Sequence, residues 1–242
     1  MTTASLTDDL LWQGGELVDS FSAIGILAFT TGRSFGSFGT ATEEPVREVM
    51  ERWSALRARV SGSGGRLATA VQVHGATVIE HAGDWKGWLR GDEADGHLSL
   101  DGRTALAVTV ADCVPVFLAH PSGAIAALHS GWRGTAARIT GHAIARFAAL
   151  GLPAGDLLLH CGPAICGRCY EVSPDVHARL TGEPGQRTTV DLRALIADHA
   201  RAAGVRNISV SPLCTRCDND RFFSHRVGDP GRQLGVITLD RR

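Results

Sequence analysis

Seven short apolar runs, each closed by Gly, Asp, Pro or a loop residue, limit this chain more than any other feature. They are "AIGILAFT" (23–30), "LATAVQV" (67–73), "TALAVTV" (104–110), "PVFLAH" (115–120), "AIAALH" (124–129), "DLLLH" (156–160) and "QLGVITL" (233–239). Runs of this length, rich in Val, Ile, Leu and Ala, read as β-strands. Helical periodicity falls at 133–151, stopped by Gly151, at 190–204, stopped by Gly204, and at 42–60, where Thr42 is placed to cap, two acids fill the first turn and Pro45 comes early. Strands in groups with helices interspersed predict an α+β (mixed α/β) fold: a single layered domain over residues 1–242, with mixed β-sheets flanked by helices.

Charge excludes one class of partner. Lys and Arg number 24 against 25 for Asp and Glu, a formal net charge of -1 over 242 residues, so no basic surface for gripping nucleic acid is expected. No run approaches the roughly 18 apolar residues that span a bilayer, and the first residues lack an export pattern, so no membrane partner and a cytoplasmic location are the expectation. The six cysteines then read as thiols or metal ligands rather than disulfides.

Three soft-ligand residues stand where an apolar run gives way to a turn: His74 in "AVQVHGA", Cys113 in "VTVADCVP" and His129 in "IAALHSGWRG". Singly, a His at a strand end is usually a hydrogen-bonded boundary residue, and a Cys in an apolar run is inert packing. The recurrence is the signal, because strand ends converge at one rim of a sheet. Two imidazoles and a thiolate suit Zn2+, and three ligands leave one tetrahedral position open for water, phosphate or substrate. Gly131 and Gly134 flank Trp132 and Arg133, as expected where backbone approaches a ligand, and a helix starting there would favour an anion. Arg133 and Arg226 are candidate phosphate-binding residues. Asp112 either orients a ligand imidazole or caps a turn.

In order along the chain, "QVHG", "ADCVP", "HSGWRG", "GPAICGRCYEV", "CTRCDNDRFFSHR" and "GRQLGVI" resemble the motif series of the laccase-domain (YfiH-like) family. That family was formerly described as multicopper polyphenol oxidases and is now described as purine nucleoside phosphorylases. The resemblance runs from "FTTGR" to the C-terminus. It implies a YfiH/CNF-like cysteine hydrolase fold and an enzyme that cleaves adenosine, inosine, guanosine and methylthioadenosine with phosphate and also deaminates adenosine. It also implies one zinc ion on His74, Cys113 and His129, the trio already marked by strand ends. The chain departs from the family at Ser130 and Cys166, which stand where Ala and Gly are more usual.

Two other enzymes compete: a metal-free cysteine hydrolase using Cys113 with His129 as base, and a copper-dependent polyphenol oxidase. Copper is disfavoured, since no histidines fall in the H-x-H pairs a multicopper centre needs. The pairs "CGRC" (166–169) and "CTRC" (214–217) could carry a structural zinc. The stretch between them is long for a compact zinc ribbon, so ordinary buried thiols are expected, and Cys217→Ala should leave metal content unchanged. Cys161 reads as a core residue. The Gly-rich "GRSFGSFG" (32–39) is expected to be a mobile loop over the site.

Overall fold

The computed structural model describes residues 14–40, 44–61, 65–183 and 188–240. One six-stranded sheet runs, in spatial order, β1 (Glu16–Leu17), β2 (Ile26–Thr30), β12 (Gln233–Leu239), β7 (Thr104–Val110), β3 (Arg66–Val71) and β5 (Gly87–Glu93). The other runs β11 (Asn207–Val210), β10 (Leu158–Cys161), β8 (Val114–Ala119), β9 (Ile125–Ser130), β6 (Gly96–Ser99) and β4 (Val78–Glu80). Both sheets mix parallel and antiparallel pairs: β3 is parallel to β5 and β7, whereas β12 is antiparallel to β2 and β7. The helices are α1 (Asp19–Ser22), α2 (Val46–Ser61), α3 (Trp132–Ala136), α4 (Ile139–Ala149), α5 (Pro174–Thr181) and α6 (Leu192–Ala202).

The strands are apolar throughout because both faces are covered. On β7, Ala105 and Ala107 face α2, where Val49, Trp53 and Leu56 pack, while Leu106, Val108 and Val110 join Phe117 and Ala127 between the sheets. On β8, Val114, Val116 and Leu118 meet Ile144 and Phe147 of α4 and Ile196 of α6. The order of layers is therefore helix, sheet, sheet, helices, which matches the mixed, helix-flanked architecture read from the sequence.

Two differences have physical causes. The helix expected over 133–151 is two helices, because Arg138 takes a left-handed backbone (φ 56°) between α3 and α4. The helix expected over 42–60 begins only after Pro45, in keeping with the proline's missing N–H and fixed φ; the capping role of Thr42 lies outside the described residues. Strands β4, β5, β6 and β11 carry no apolar run that marks them. The loop over 32–39 is pinned by Arg33, whose side chain donates to Asn219 O (2.9 Å), Phe222 O (3.0 Å) and Asp229 Oδ2 (2.5 Å). Its end, Phe38 and Gly39, lines a neighbouring groove rather than covering the trio.

The chain passes from the first sheet to the second after β3, after β5 and after β7. These three strands are parallel, so the three passages leave from the same rim. The pairing of β3 with β7 stops at Ala68 and Leu106, and beyond it Gln72 substitutes its amide for the ladder: Oε1 accepts from Thr109 N and Nε2 donates to Thr109 O, each at 2.8 Å.

Candidate metal centre and active site

The parted strands leave a cleft of about 480 Å³ at that rim. His74, three residues beyond β3, Cys113, in the passage from β7 to β8, and His129, on β9, meet at its base with their ligand atoms within 4.8 Å of one another. The two imidazoles stand edge to face, with ring centroids 4.8 Å apart. His129 is buried, Cys113 half-buried and His74 open to the cleft. His74 takes a left-handed φ of 61°, a strain that costs on the order of 1 kcal/mol and persists only where the surroundings impose it.

What imposes it is Asp95, a residue the sequence reading missed. Its buried carboxylate accepts from the backbone N–H groups of His74 (2.9 Å) and Gly75 (2.6 Å), and from His129 Nδ1 (2.7 Å). One acid thus shapes the His74 turn and fixes the His129 ring, leaving Nε2 for Cys113 or a metal ion. A carboxylate behind an imidazole is the usual second layer of a metal-ligating histidine. The candidate for that role, Asp112, does something else. Its oxygens accept from Thr215 Oγ1 (2.6 Å) and the backbone N–H of Arg226 (2.7 Å), so it ties the Cys113 passage to the far wall of the cleft.

Burial opposes charge on Cys113. The neighbouring His129 charge and hydrogen bonds with His129 and His74 outweigh it and bring the thiol down to about 6. Burial likewise disfavours an imidazolium at His129, but the Cys113 thiolate and the Asp95 carboxylate raise it to about 9. Each charge favours the other, which pulls the thiol down and the imidazole up together. The donor set suits a borderline-soft cation, with an ionised sulfur, two imidazoles and a carboxylate holding one of them. Gly131 is needed here for space: a Cβ on it would lie 2.8 Å from Cys113 Sγ and 3.4 Å from His74 Cδ2. Ser130 is a compatible neighbour, its hydroxyl hydrogen-bonded to Thr135 Oγ1 at 2.9 Å.

Both candidate arginines line the same cleft. The Arg133 guanidinium lies 4.5 Å from the centre of the Trp132 ring. That of Arg226 sits 5.2 Å from the centre of the Tyr170 ring and donates from Nη1 and Nη2 to Glu171 O. A third, Arg232, also lines the cleft and caps the carbonyls of Asp229, Pro230 and Gly231. The expected anion-favouring helix start is weak, because α3 is only five residues long.

The family model described as multi-copper polyphenol oxidoreductase laccase matches residues 32–240, which include every residue of the site. The chain belongs to this family. Among laccase-domain relatives, a Streptomyces coelicolor protein named a purine nucleoside phosphorylase is 36% identical over 184 residues, covering 72% of this chain and 76% of its own. A crystal structure from Neisseria meningitidis superposes with a TM-score of 0.81 at 26% identity, covering 94% of this chain and all of that one. YfiH of Bacillus licheniformis gives 0.83 at 23% identity over 97% of this chain and 98% of its own, a likeness of fold. No helix among the described residues is long and apolar enough to cross a membrane.

Proposed function

We propose that the chain, acting as one domain over residues 1–242, is a cytoplasmic, zinc-dependent purine nucleoside phosphorylase. It cleaves adenosine, inosine, guanosine and methylthioadenosine and also deaminates adenosine. The observation that carries this reading is the convergence of His74, Cys113 and His129 at the base of a cleft that Arg133 and Arg226 also line. The names borne by relatives such as the Streptomyces coelicolor protein support it. Those three residues hold the zinc, which when bound supplies a fixed positive charge and Lewis acidity toward oxygen ligands.

The chain's own residues do the rest. Asp95 keeps His129 in one tautomer and orientation. Arg133 and Arg226 present forked donors to a phosphate dianion, and Asp112, by holding the Arg226 backbone, sets where one of them stands. In phosphorolysis a phosphate oxygen bonds to C1′ as the C1′–N9 bond breaks. The electron pair departs with the purine, which takes up a proton. The sugar passes through a cation-like state that a positioned phosphate both stabilises and captures.

Incubating the zinc-loaded chain with adenosine tests the reading. Adenine and ribose 1-phosphate should form only when phosphate is present, and inosine should form with or without it. Failure to turn over any of the four nucleosides overturns it. Cys113→Ala should lose both this zinc and the activity, and full turnover by that variant would remove Cys113 from the site.

One geometric fact favours a second reading. Cys113, His129 and Asp95 stand in the order of a thiol nucleophile, its base and the acid that orients the base. A cysteine hydrolase predicts activity that survives exhaustive chelation and is lost on alkylation of Cys113. A polyphenol oxidase is less well supported, since the trio offers ligands for one ion whereas a multicopper centre needs several.

A further inference from the structure

We propose that Cys166, Cys169, Cys214 and Cys217 form a second metal site, a tetrathiolate that binds a structural zinc ion apart from the His74–Cys113–His129 cluster. The four sulfurs lie within 4.8 Å of one another. A zinc ion with four Zn–S bonds of about 2.3 Å sets its sulfurs roughly 3.8 Å apart, so the cluster closes on an ion with small side-chain adjustments. Cys169 Sγ and Cys217 Sγ are 3.5 Å apart, and all four thiols are free.

The backbone is already folded as such a site requires. Each pair turns back on itself, with Cys169 N donating to Cys166 O (2.9 Å) and Asp218 N to Cys214 O (2.8 Å). A parallel bridge between Ala164 and Cys214 sets the two turns side by side. Two amides point at one sulfur: Cys166 N and Cys217 N lie 3.3 and 3.4 Å from Cys214 Sγ and both donate to it. Arg168 and Arg216 occupy the same place in the two pairs and supply positive charge against the net negative charge of four thiolates around one divalent ion.

The reasons for expecting ordinary buried thiols do not survive in the fold. Only Cys214 is buried; Cys166 and Cys169 are half-buried and Cys217 is exposed. The long stretch between the pairs includes α5 and α6, a folded excursion that returns to the Ala164–Cys214 bridge. Cys166 has no left-handed φ, so its backbone tolerates a side chain there. The site also has a use. Tyr170 of the cleft wall follows Cys169, and Thr215, which holds Asp112, follows Cys214, so an ion there would clamp that wall in place.

Zinc content of the full chain, purified with reductant and without chelator, tests this independently of the activity. Cys113→Ala, which lacks a ligand of the first cluster, should retain one zinc per chain, and adding Cys217→Ser or Cys166→Ser should abolish it. The expectation that Cys217→Ala leaves metal content unchanged is thereby reversed. No zinc in Cys113→Ala, or an undiminished content after Cys217→Ser, overturns the proposal. Equal zinc in the wild type and Cys113→Ala, at one per chain, would instead contradict the first cluster alone. Cobalt replacement in Cys113→Ala guards against a misfolded double variant. The sulfur-to-cobalt charge-transfer band should have the intensity of four thiolates per ion; a weaker band, or a non-reducing mass lowered by disulfide formation, refutes the site.

Discussion

Asp95 joins parts of the candidate centre that come from different sheets: the His74 turn after β3 and the His129 ring on β9. Asp95→Asn keeps the shape of the side chain but removes the charge that supports the imidazole. It should weaken metal binding roughly 10- to 100-fold, the usual cost of losing such a partner. A competition titration against a zinc chelator measures this, and an unchanged affinity would show that Asp95 serves only the turn. The three metal-ligand candidates were legible in the sequence because each ends an apolar run. Asp95 was not, since in "RGDEADGHL" it looks like any solvated acid, and only the fold shows its carboxylate to be buried. Asp112 misled for the opposite reason: adjacent to Cys113 in sequence, it points to Thr215 and Arg226 instead.

At the scale of elements, the strands buried on both faces were the readable ones. β7 and β12 match their apolar runs residue for residue, whereas β5, "GWLRGDE", is a partly exposed edge strand whose polar and glycine residues hide it. The break between α3 and α4 was also hidden, because Arg is a good helix former and nothing local marks Arg138 as left-handed. That conformation costs a non-glycine residue roughly 1 kcal/mol, so Arg138→Gly should leave stability unchanged or raise it by up to about that much. Urea unfolding decides the matter. A loss of stability would mean that the Arg138 side chain contributes more than its backbone costs.

For the whole molecule, acid should be felt through a pair of buried histidines. His81 Nε2 and His97 Nδ1 are 2.9 Å apart between β4 and β6, and His97 Nε2 is buried without a partner among the described residues. Burial lowers His81 to about 4, and burial together with the charge of His81 lowers His97 to about 3. An unfolded chain binds these protons near 6.5, so stability is full above that pH and falls as pH drops toward 4. Replacing both, as His81→Phe with His97→Leu, should flatten the decline in melting temperature between pH 7 and 5. An equally steep decline would place the acid sensitivity elsewhere. Stripping metal should also lower the melting temperature, because an ion that binds only the folded chain adds about 2.7 kcal/mol when present at a hundred times its dissociation constant. The cleft lies where the polypeptide crosses between its two sheets, with candidate ligands drawn from both sides of the crossing. Whatever fastens there also fastens the halves of the sandwich together, so a simple thermal-shift screen of ions, phosphate mimics and nucleosides should rank ligands before any reaction has been assayed.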